Sequence, residues 1–336
     1  MADITVMGAG SWGTAMAVLF ADSGHKVTLW AYLDSEVEAL TRDRENEKLP
    51  GAKIPDTIEI TSDMGKALSR TDICIMAVPS NAVRSAASSM KPYVDGSFKI
   101  VNAAKGIDEK TLMRLSQVVE EELSGTPVSV ISGPSHAEEV VNFIPTAIVI
   151  GSHTKEDAQY LQHNLMSRTF RVYISPDMTG IEIGAALKNV VALAAGIADG
   201  LGCGDNTKAA LITRGMAEIS RLGMAMGGKA ETFSGLTGMG DLIVTCGSMH
   251  SRNRRAGILI GQGHEPAEAV KSIGQVVEGV NCAKAALRLS EKYSVEMPIV
   301  QKTNEILFSG LSPREAMDSL MLRDPKIENP LIPFDR

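Results

Sequence analysis

The chain has 336 residues, 44% of them hydrophobic and 22% charged, which is enough for two domains with sizeable cores. Its 33 basic and 40 acidic residues leave a net charge of −7, which argues against general affinity for nucleic acid or for an anionic membrane surface. Cys74, Cys203, Cys246 and Cys282 are widely spaced with no CxxC pair, so they read as reduced thiols and not as a disulfide framework.

Met1 leads almost directly into DITVMGAG, with no basic n-region or cleavage site, and this opening segment is too short and too interrupted to span a bilayer. A cytoplasmic protein with no membrane insertion is expected. Up to about residue 175, short apolar runs alternate with helical patterns. ITVMG (4–8) reads as a strand, and TAMAVLFADSG as a helix closed by Gly24. KVTLW (26–30), DICIMAVP (72–79), FKIVNAA (98–104), PVSVI (127–131) and TAIVIG (146–151) read as further strands. Continuous Val/Ile strands separated by helices predict an α/β fold with a doubly wound parallel sheet covered on both faces. From about residue 178 the strand signals fade. Helix-period stretches at 178–198, 206–226, 254–262, 265–271, 279–293 and 300–308 predict a second half that is mostly α-helical. The tail RDPKIENPLIPFDR is expected to lie extended over the surface.

The first motif is VMGAGSWGTAMAV, a G-x-G-x-x-G at Gly8, Gly10 and Gly13 between a strand and a helix. Gly8 permits a tight turn, Gly10 lets backbone approach a pyrophosphate, and Gly13 lets helix pack close to strand. The helix N-terminus then offers free N–H groups to the phosphates. Dinucleotide binding is the reading; a glycine-rich structural turn is the alternative. About twenty residues on, an acid would hold the ribose 2′-OH of NAD and an arginine the 2′-phosphate of NADP. Ala31 and Tyr32 stand there, with Asp34 displaced, so neither cofactor is favoured. Tyr32 is a stacking surface for adenine or a cap on its strand.

Lys105 in NAAKGI follows a strand at the carboxyl edge of the sheet, where ligands of open α/β sheets sit. ISGPSHAEEV places small residues, Gly133, Ser135 and Ala137, after another strand. With six scattered histidines and no HxxxH or HExxH spacing, His136 is not read as catalytic and no metal is expected. In GLTGMGDLIVTCGSMHSRNRRAG, Asp241 precedes Ser251, Arg252, Asn253, Arg254 and Arg255. The three arginines with Ser and Asn donors form a clamp suited to a small phosphorylated substrate.

Lys188 is the only charge between Ile183 and Ile197. Gly184, Ala185, Val191, Ala192 and Ala195 share its helical face, leaving room for a partner helix or a ligand. An unpaired buried ammonium is costly, and it is best explained by a depressed pKa that serves a general acid/base. Lys105, if it lines the same site, lowers that pKa further. Asp241 or Asn189 would orient the head group.

GAGSWGTA, AAKGI, SGPSHAEEV, ALKNVVALAAGIADGLGCGDNTKAALITRG, LTGMGDLIVTC, SRNRR and VVEGV follow in this order along nearly the whole length. Together they resemble the bacterial NAD(P)-dependent sn-glycerol-3-phosphate dehydrogenase family. The resemblance implies an N-terminal Rossmann-type dinucleotide-binding domain, drawn here at 1–177, and an α-helical substrate-binding and catalytic domain at 178–336. It implies an oxidoreductase acting on a CH–OH group, interconverting sn-glycerol 3-phosphate and dihydroxyacetone phosphate, with NAD or NADP as cofactor. The product serves as the backbone precursor of phospholipids, and a homodimer is implied.

Carried over residue by residue, Ser11 and Trp12 contact the cofactor beside Gly8, Gly10 and Gly13, as do Tyr32, Lys105, Ala137, Arg252, Val276 and Glu278. Lys105, Gly133, Ser135, Lys188, Asp241, Ser251, Arg252 and Asn253 contact substrate. Lys188 matches the catalytic proton acceptor, with Lys105 and Asp241 beside it. Tyr32 departs from the His or Arg of many members, and His136 from an aromatic such as Phe, which is expected to affect packing only. Related dehydrogenases of 6-phosphogluconate or 3-hydroxyacids lack a reason for the SRNRR block. A dinucleotide sensor would not need Lys105, Lys188, Asp241 and Arg252 together.

Overall fold

In the computed structural model, which describes residues 1–325, 327 and 328, the first half of the chain builds one large sheet. Its strands include β1 (Asp3–Met7) and β2 (Lys26–Trp30), followed by a two-stranded hairpin of β3 (Glu45–Asn46) and β4 (Leu49–Lys53). Next come β5 (Glu59–Thr61), β6 (Ile73–Met76), β7 (Lys99–Asn102), β8 (Val128–Ser132), β9 (Thr146–Gly151) and β10 (Phe170–Ser175). The large sheet has the order β10-β9-β8-β7-β6-β1-β2-β5.

The helices between them are α1 (Ser11–Asp22), α2 (Asp34–Asp43), α3 (Met64–Leu68), α4 (Val83–Met90), α5 (Leu115–Glu122), α6 (Ala137–Val140) and α7 (Lys155–Leu165). Side chains alternate along the strands, as the pleat requires. Ile4, Val6, Ile73 and Ile75 pack with Met16 and Phe20 of α1, while Met7, Cys74 and Met76 pack with Val83 of α4 and Val118 of α5. The sheet is therefore buried on both faces, and this accounts for its Val/Ile-rich strands.

Two expectations need correction. The sheet is mixed, because β8 and β9 pair antiparallel. The link between them carries only the four-residue α6, well short of the crossover helix a parallel pair uses. The hairpin, β5 and β10 were also not expected: β5 has three residues, and β10 alternates buried and exposed at the sheet edge.

Sheet gives way to helices between Ser175 and Met178. The second half contains α8 (Met178–Gly200), α9 (Asp205–Ala225), α10 (Ala230–Ser234), a π-helical turn at Leu236–Gly240, α11 (Asp241–Gly247), α12 (Arg252–Gly261), α13 (Pro266–Ser272), α14 (Glu278–Lys292), α15 (Pro298–Phe308) and α16 (Pro313–Met321). The short α10 and α11, the π turn and α16 are additions to the expected set. Most of the tail expected to lie extended, residue 326 and residues 329–336, falls outside the described residues.

Helix α8 is the core of this half. It is buried against protein on every side over almost its whole length, with Glu182, Lys188 and Asn189 among its buried residues. Its length and composition would also suit a bilayer, but its neighbours here are α9, α12 and α14. A Cβ on Gly196 would lie 2.2 Å from the Arg254 carbonyl oxygen, and one on Gly257 2.2 Å from that of Leu193. Glycine at both positions is what lets α8 and α12 cross backbone to backbone. Gly196 of α8 thus serves a partner helix, and Gly184 faces the Thr237 carbonyl of the π turn.

The two halves are bolted together. Glu182 of α8 accepts from the Ser116 amide at 2.8 Å and hydroxyl at 2.6 Å, and pairs with Arg114. Ile107 and Leu112, from the segment after β7, pack into the helical core. Glu278 of α14 accepts from the Ser80 amide at 3.1 Å and hydroxyl at 2.5 Å.

Candidate active site

The strand order turns at β1: the chain proceeds to β2 on one side and to β6 on the other. Ligands of open α/β sheets bind outside the carboxyl ends of strands at such a point. The glycine loop is there. Gly8 has φ +113°, and a Cβ on it would meet the Ala77 carbonyl oxygen at 2.9 Å. A Cβ on Gly13 would lie 1.9 Å from the Gly8 carbonyl oxygen, so only glycine permits α1 to start so close to β1. At Gly10 nothing lies within 4 Å of the added carbon. Open space over Gly10, at the start of α1, fits a pyrophosphate lying on the helix N-terminus.

Around this loop, Asn46 of the hairpin donates to the Ala9 carbonyl at 2.9 Å and to Thr14 Oγ1 at 2.7 Å. Ser11 Oγ donates to Gln275 Oε1 at 3.4 Å, and Arg252 reaches the same oxygen at 3.4 Å. Gln275 Nε2 in turn donates to the Lys48 carbonyl at 3.5 Å. Gln275 therefore ties the loop, the hairpin and α12 together, with Val276 and Glu278 just beyond it. Trp12 packs on the sheet core and Ala137 opens α6. Tyr32 is 79% exposed beyond the end of β2, its ring 6.2 Å from that of Trp30 and inclined at 65°.

Lys105 follows β7, as expected, and crosses to the helical half. Its Nζ donates to Asp241 Oδ2 at 2.7 Å and to the Gly133 carbonyl at 3.1 Å. Lys188 donates to the other oxygen, Asp241 Oδ1, at 2.6 Å, and to Thr245 Oγ1 at 2.7 Å. Thr245 Oγ1 in turn donates to the Asp241 carbonyl at 2.5 Å. One carboxylate thus holds two ammonium groups, leaving a net positive charge. Asp241 is 1% and Lys188 5% exposed.

Burial lowers the Lys188 pKa to about 8; the Lys105 charge adds to the fall, and Asp241 opposes it. Burial pulls the Asp241 carboxyl upward, but the two lysines outweigh it and hold it below its ordinary value. The ammonium is therefore paired, and it gives up its proton more readily than an ordinary lysine.

Other expectations change. Asn189 does not orient Lys188: its Oδ1 accepts from Asn253 Nδ2 at 2.9 Å, and Asn253 Oδ1 accepts from the Gly279 amide at 2.8 Å. Thr245 takes that place, one helical turn after Asp241. The i,i+4 spacing of Asp241 and Thr245 was a visible signal. The three-arginine clamp is not formed either. Arg254 turns away to Asp199 Oδ2 at 2.7 Å and to the Gly247 carbonyl, while Arg252 faces Gln275 and Arg255 stays near enough for its charge to act on Arg252. Ser251 caps α12, accepting from the Arg254 amide at 3.2 Å. Ser135 Oγ donates to the Gly133 carbonyl at 3.0 Å. The His136 ring lies 5.7 Å from that of His250, and burial, then Lys188, lower its pKa. All four cysteines are free, and the described residues contain no cluster able to hold a metal.

A glycine loop with room for a pyrophosphate, and a buried lysine of lowered pKa carried by the helical half, suit the class of dinucleotide-dependent dehydrogenases. The profile of the NAD-dependent glycerol-3-phosphate dehydrogenase N-terminus matches residues 3–158, and that of the C-terminus residues 177–318. A glycerol-3-phosphate dehydrogenase, NAD(P)+, of Agathobacter rectalis is 54% identical over 330 residues, 98% of each chain. One of Fusobacterium nucleatum is 53% identical over 331 residues, 98% of this chain and 99% of that one. The crystal structure of glycerol-3-phosphate dehydrogenase from Coxiella burnetii superposes with a TM-score of 0.93 at 39% identity, covering 96% of this chain and 99% of that one. The chain belongs to the NAD-dependent glycerol-3-phosphate dehydrogenase family.

Proposed function

We propose that this chain interconverts sn-glycerol 3-phosphate and dihydroxyacetone phosphate with NAD or NADP. The single observation that carries the reading is the Asp241 carboxylate shared by Lys105 and Lys188, with the Lys188 pKa lowered to about 8. When bound, the reduced cofactor would supply a hydride to C2 of the ketone. Lys188 gives its proton to the alkoxide oxygen forming at C2, and takes it back in the oxidative direction. Asp241 orders both ammonium groups, and Thr245 limits the directions Lys188 can take. Lys105 lends a second positive charge to the polarised carbonyl and keeps Lys188 acidic.

Gly133, Ser135, Ser251 and Asn253 shape the substrate side, and Arg252 meets the phosphate with a charge-assisted contact. Gly8, Gly10, Ser11, Trp12, Gly13, Tyr32, Ala137, Val276 and Glu278 line the cofactor side. The division at residues 177 and 178 between a cofactor domain and a catalytic domain belongs to the same reading. So do a cytoplasmic location, a homodimer and a role in supplying glycerol 3-phosphate for phospholipid synthesis.

Oxidation of NADH and of NADPH with dihydroxyacetone phosphate tests it. Both cofactors are expected to work, with kcat/KM values within about tenfold, or about 1.4 kcal/mol. A thousandfold bias would contradict the cofactor reading, and no oxidation of either would overturn the activity.

A further inference from the structure

Beyond the end of β2 the chain offers the adenosine ribose neither an acid nor an arginine at Ala31 or Tyr32. The charges stand slightly further off. Glu36 occupies the first turn of α2, and its Oε1 receives Lys48 Nζ at 2.5 Å. Lys48 is at the tip of the β3–β4 hairpin, whose Asn46 is seated on the glycine loop through Ala9 and Thr14. The ion pair therefore spans from the loop that takes the pyrophosphate to the helix that follows β2. A ribose bound in the Rossmann manner lies between those same two elements. Both side chains are part-exposed, Lys48 at 39% and Glu36 at 23%, so neither is locked in by packing.

We propose that Glu36 determines the choice between NAD and NADP, by holding the Lys48 ammonium that would otherwise pair with a 2′-phosphate. The proposal rests on the reading that this side of the molecule binds NAD(P). A 2′-phosphate approaching Lys48 meets an ammonium whose charge Glu36 already offsets, and the Glu36 carboxylate repels it. A 2′-hydroxyl carries no charge and leaves the pair intact. The site thus has the cation that NADP needs, together with an anion that cancels it. Specificity is a difference between two affinities, and Glu36 supplies the repulsive part.

The test is isothermal titration of NAD+ and NADP+ into the full-length protein and its Glu36→Gln, Lys48→Met and doubly substituted variants. Turnover with dihydroxyacetone phosphate is measured on the same samples. Glu36→Gln is expected to shift the Kd ratio about tenfold toward NADP+, with the gain shrinking as salt screens the phosphate–ammonium attraction. Lys48→Met is expected to shift the ratio the other way, and the double variant to lose the gain. A Kd ratio within twofold of the parent in Glu36→Gln, or a gain that survives removal of Lys48, overturns the proposal. Failure of the underlying reading has a different signature, namely no binding of either nucleotide or no turnover by the parent.

Discussion

At the scale of the residue, Lys188 shows how a lysine is made to exchange protons near neutrality. Desolvation alone would favour the neutral amine, and a buried carboxylate alone would hold the proton. Sharing Asp241 with Lys105 leaves Lys188 charged but acidic, with a pKa of about 8. The pH dependence follows from the sign of that shift. Reduction needs the ammonium, so its kcat/KM is expected to hold below about pH 8 and fall above it. Oxidation needs the free amine and is expected to rise with pH to a plateau beyond the same point. Profiles of kcat/KM report the groups of the free enzyme, so they read this pKa directly. A break displaced to the ordinary lysine range, or none at all, would count against the assignment. The anomaly of Lys188 was legible from its apolar neighbours, and Asp241 was one of the two partners expected for it, whereas Thr245 was not foreseen. Asp241 is 53 residues away, and Thr245 becomes its neighbour only once the π turn aims α11 at α8.

At the scale of the element, helix ends and crossings do most of the positioning. Asp177 caps α8 through the Gly180 amide at 2.9 Å and also accepts from Thr232 Oγ1 at 2.6 Å, so the start of α8 is tied to α10. Glu218 of α9 performs the corresponding task for α15. Its carboxylate accepts from the Ile299 and Val300 amides at 2.9 and 3.3 Å, and burial pushes its pKa up to about 7. A raised folded-state pKa means that protonation favours the folded state. That contribution is complete below about pH 4.5 and is lost as pH rises through about 7, a change on the order of 3 kcal/mol. Glu218→Gln has no proton to lose. The melting temperature of this variant is expected to gain on that of the parent as pH rises from 5 to 8; a constant offset would show that Glu218 does not titrate in this range. The long periodic helices and the Val/Ile strands were readable because each buries a repeating face. The hairpin, β5, α10 and α11 were not, because each is too short to show a period and is held by contacts made elsewhere in the chain.

At the scale of the whole molecule, the sheet half carries the glycine loop and the helical half carries the proposed proton donor, while Lys105 belongs to both. Its strand is in the sheet, but the segment following it packs into the helical core through Ile107 and Leu112. The order of motifs along the chain made the general plan readable. It did not reveal that Arg254 faces Asp199, since helix-face geometry is set by the α8–α12 crossing. Cofactor binding and proton exchange are expected to be separable, with Lys188 responsible only for the second. Lys188→Met keeps length and apolar fit, so NADH affinity and turnover measured on one folded preparation test the claim most directly. The account predicts an NADH Kd near that of the parent and a kcat for dihydroxyacetone phosphate reduction lower by roughly 10²–10⁴. A Lys188→Met protein that turns over like the parent would contradict it, leaving the lysine a structural residue of α8.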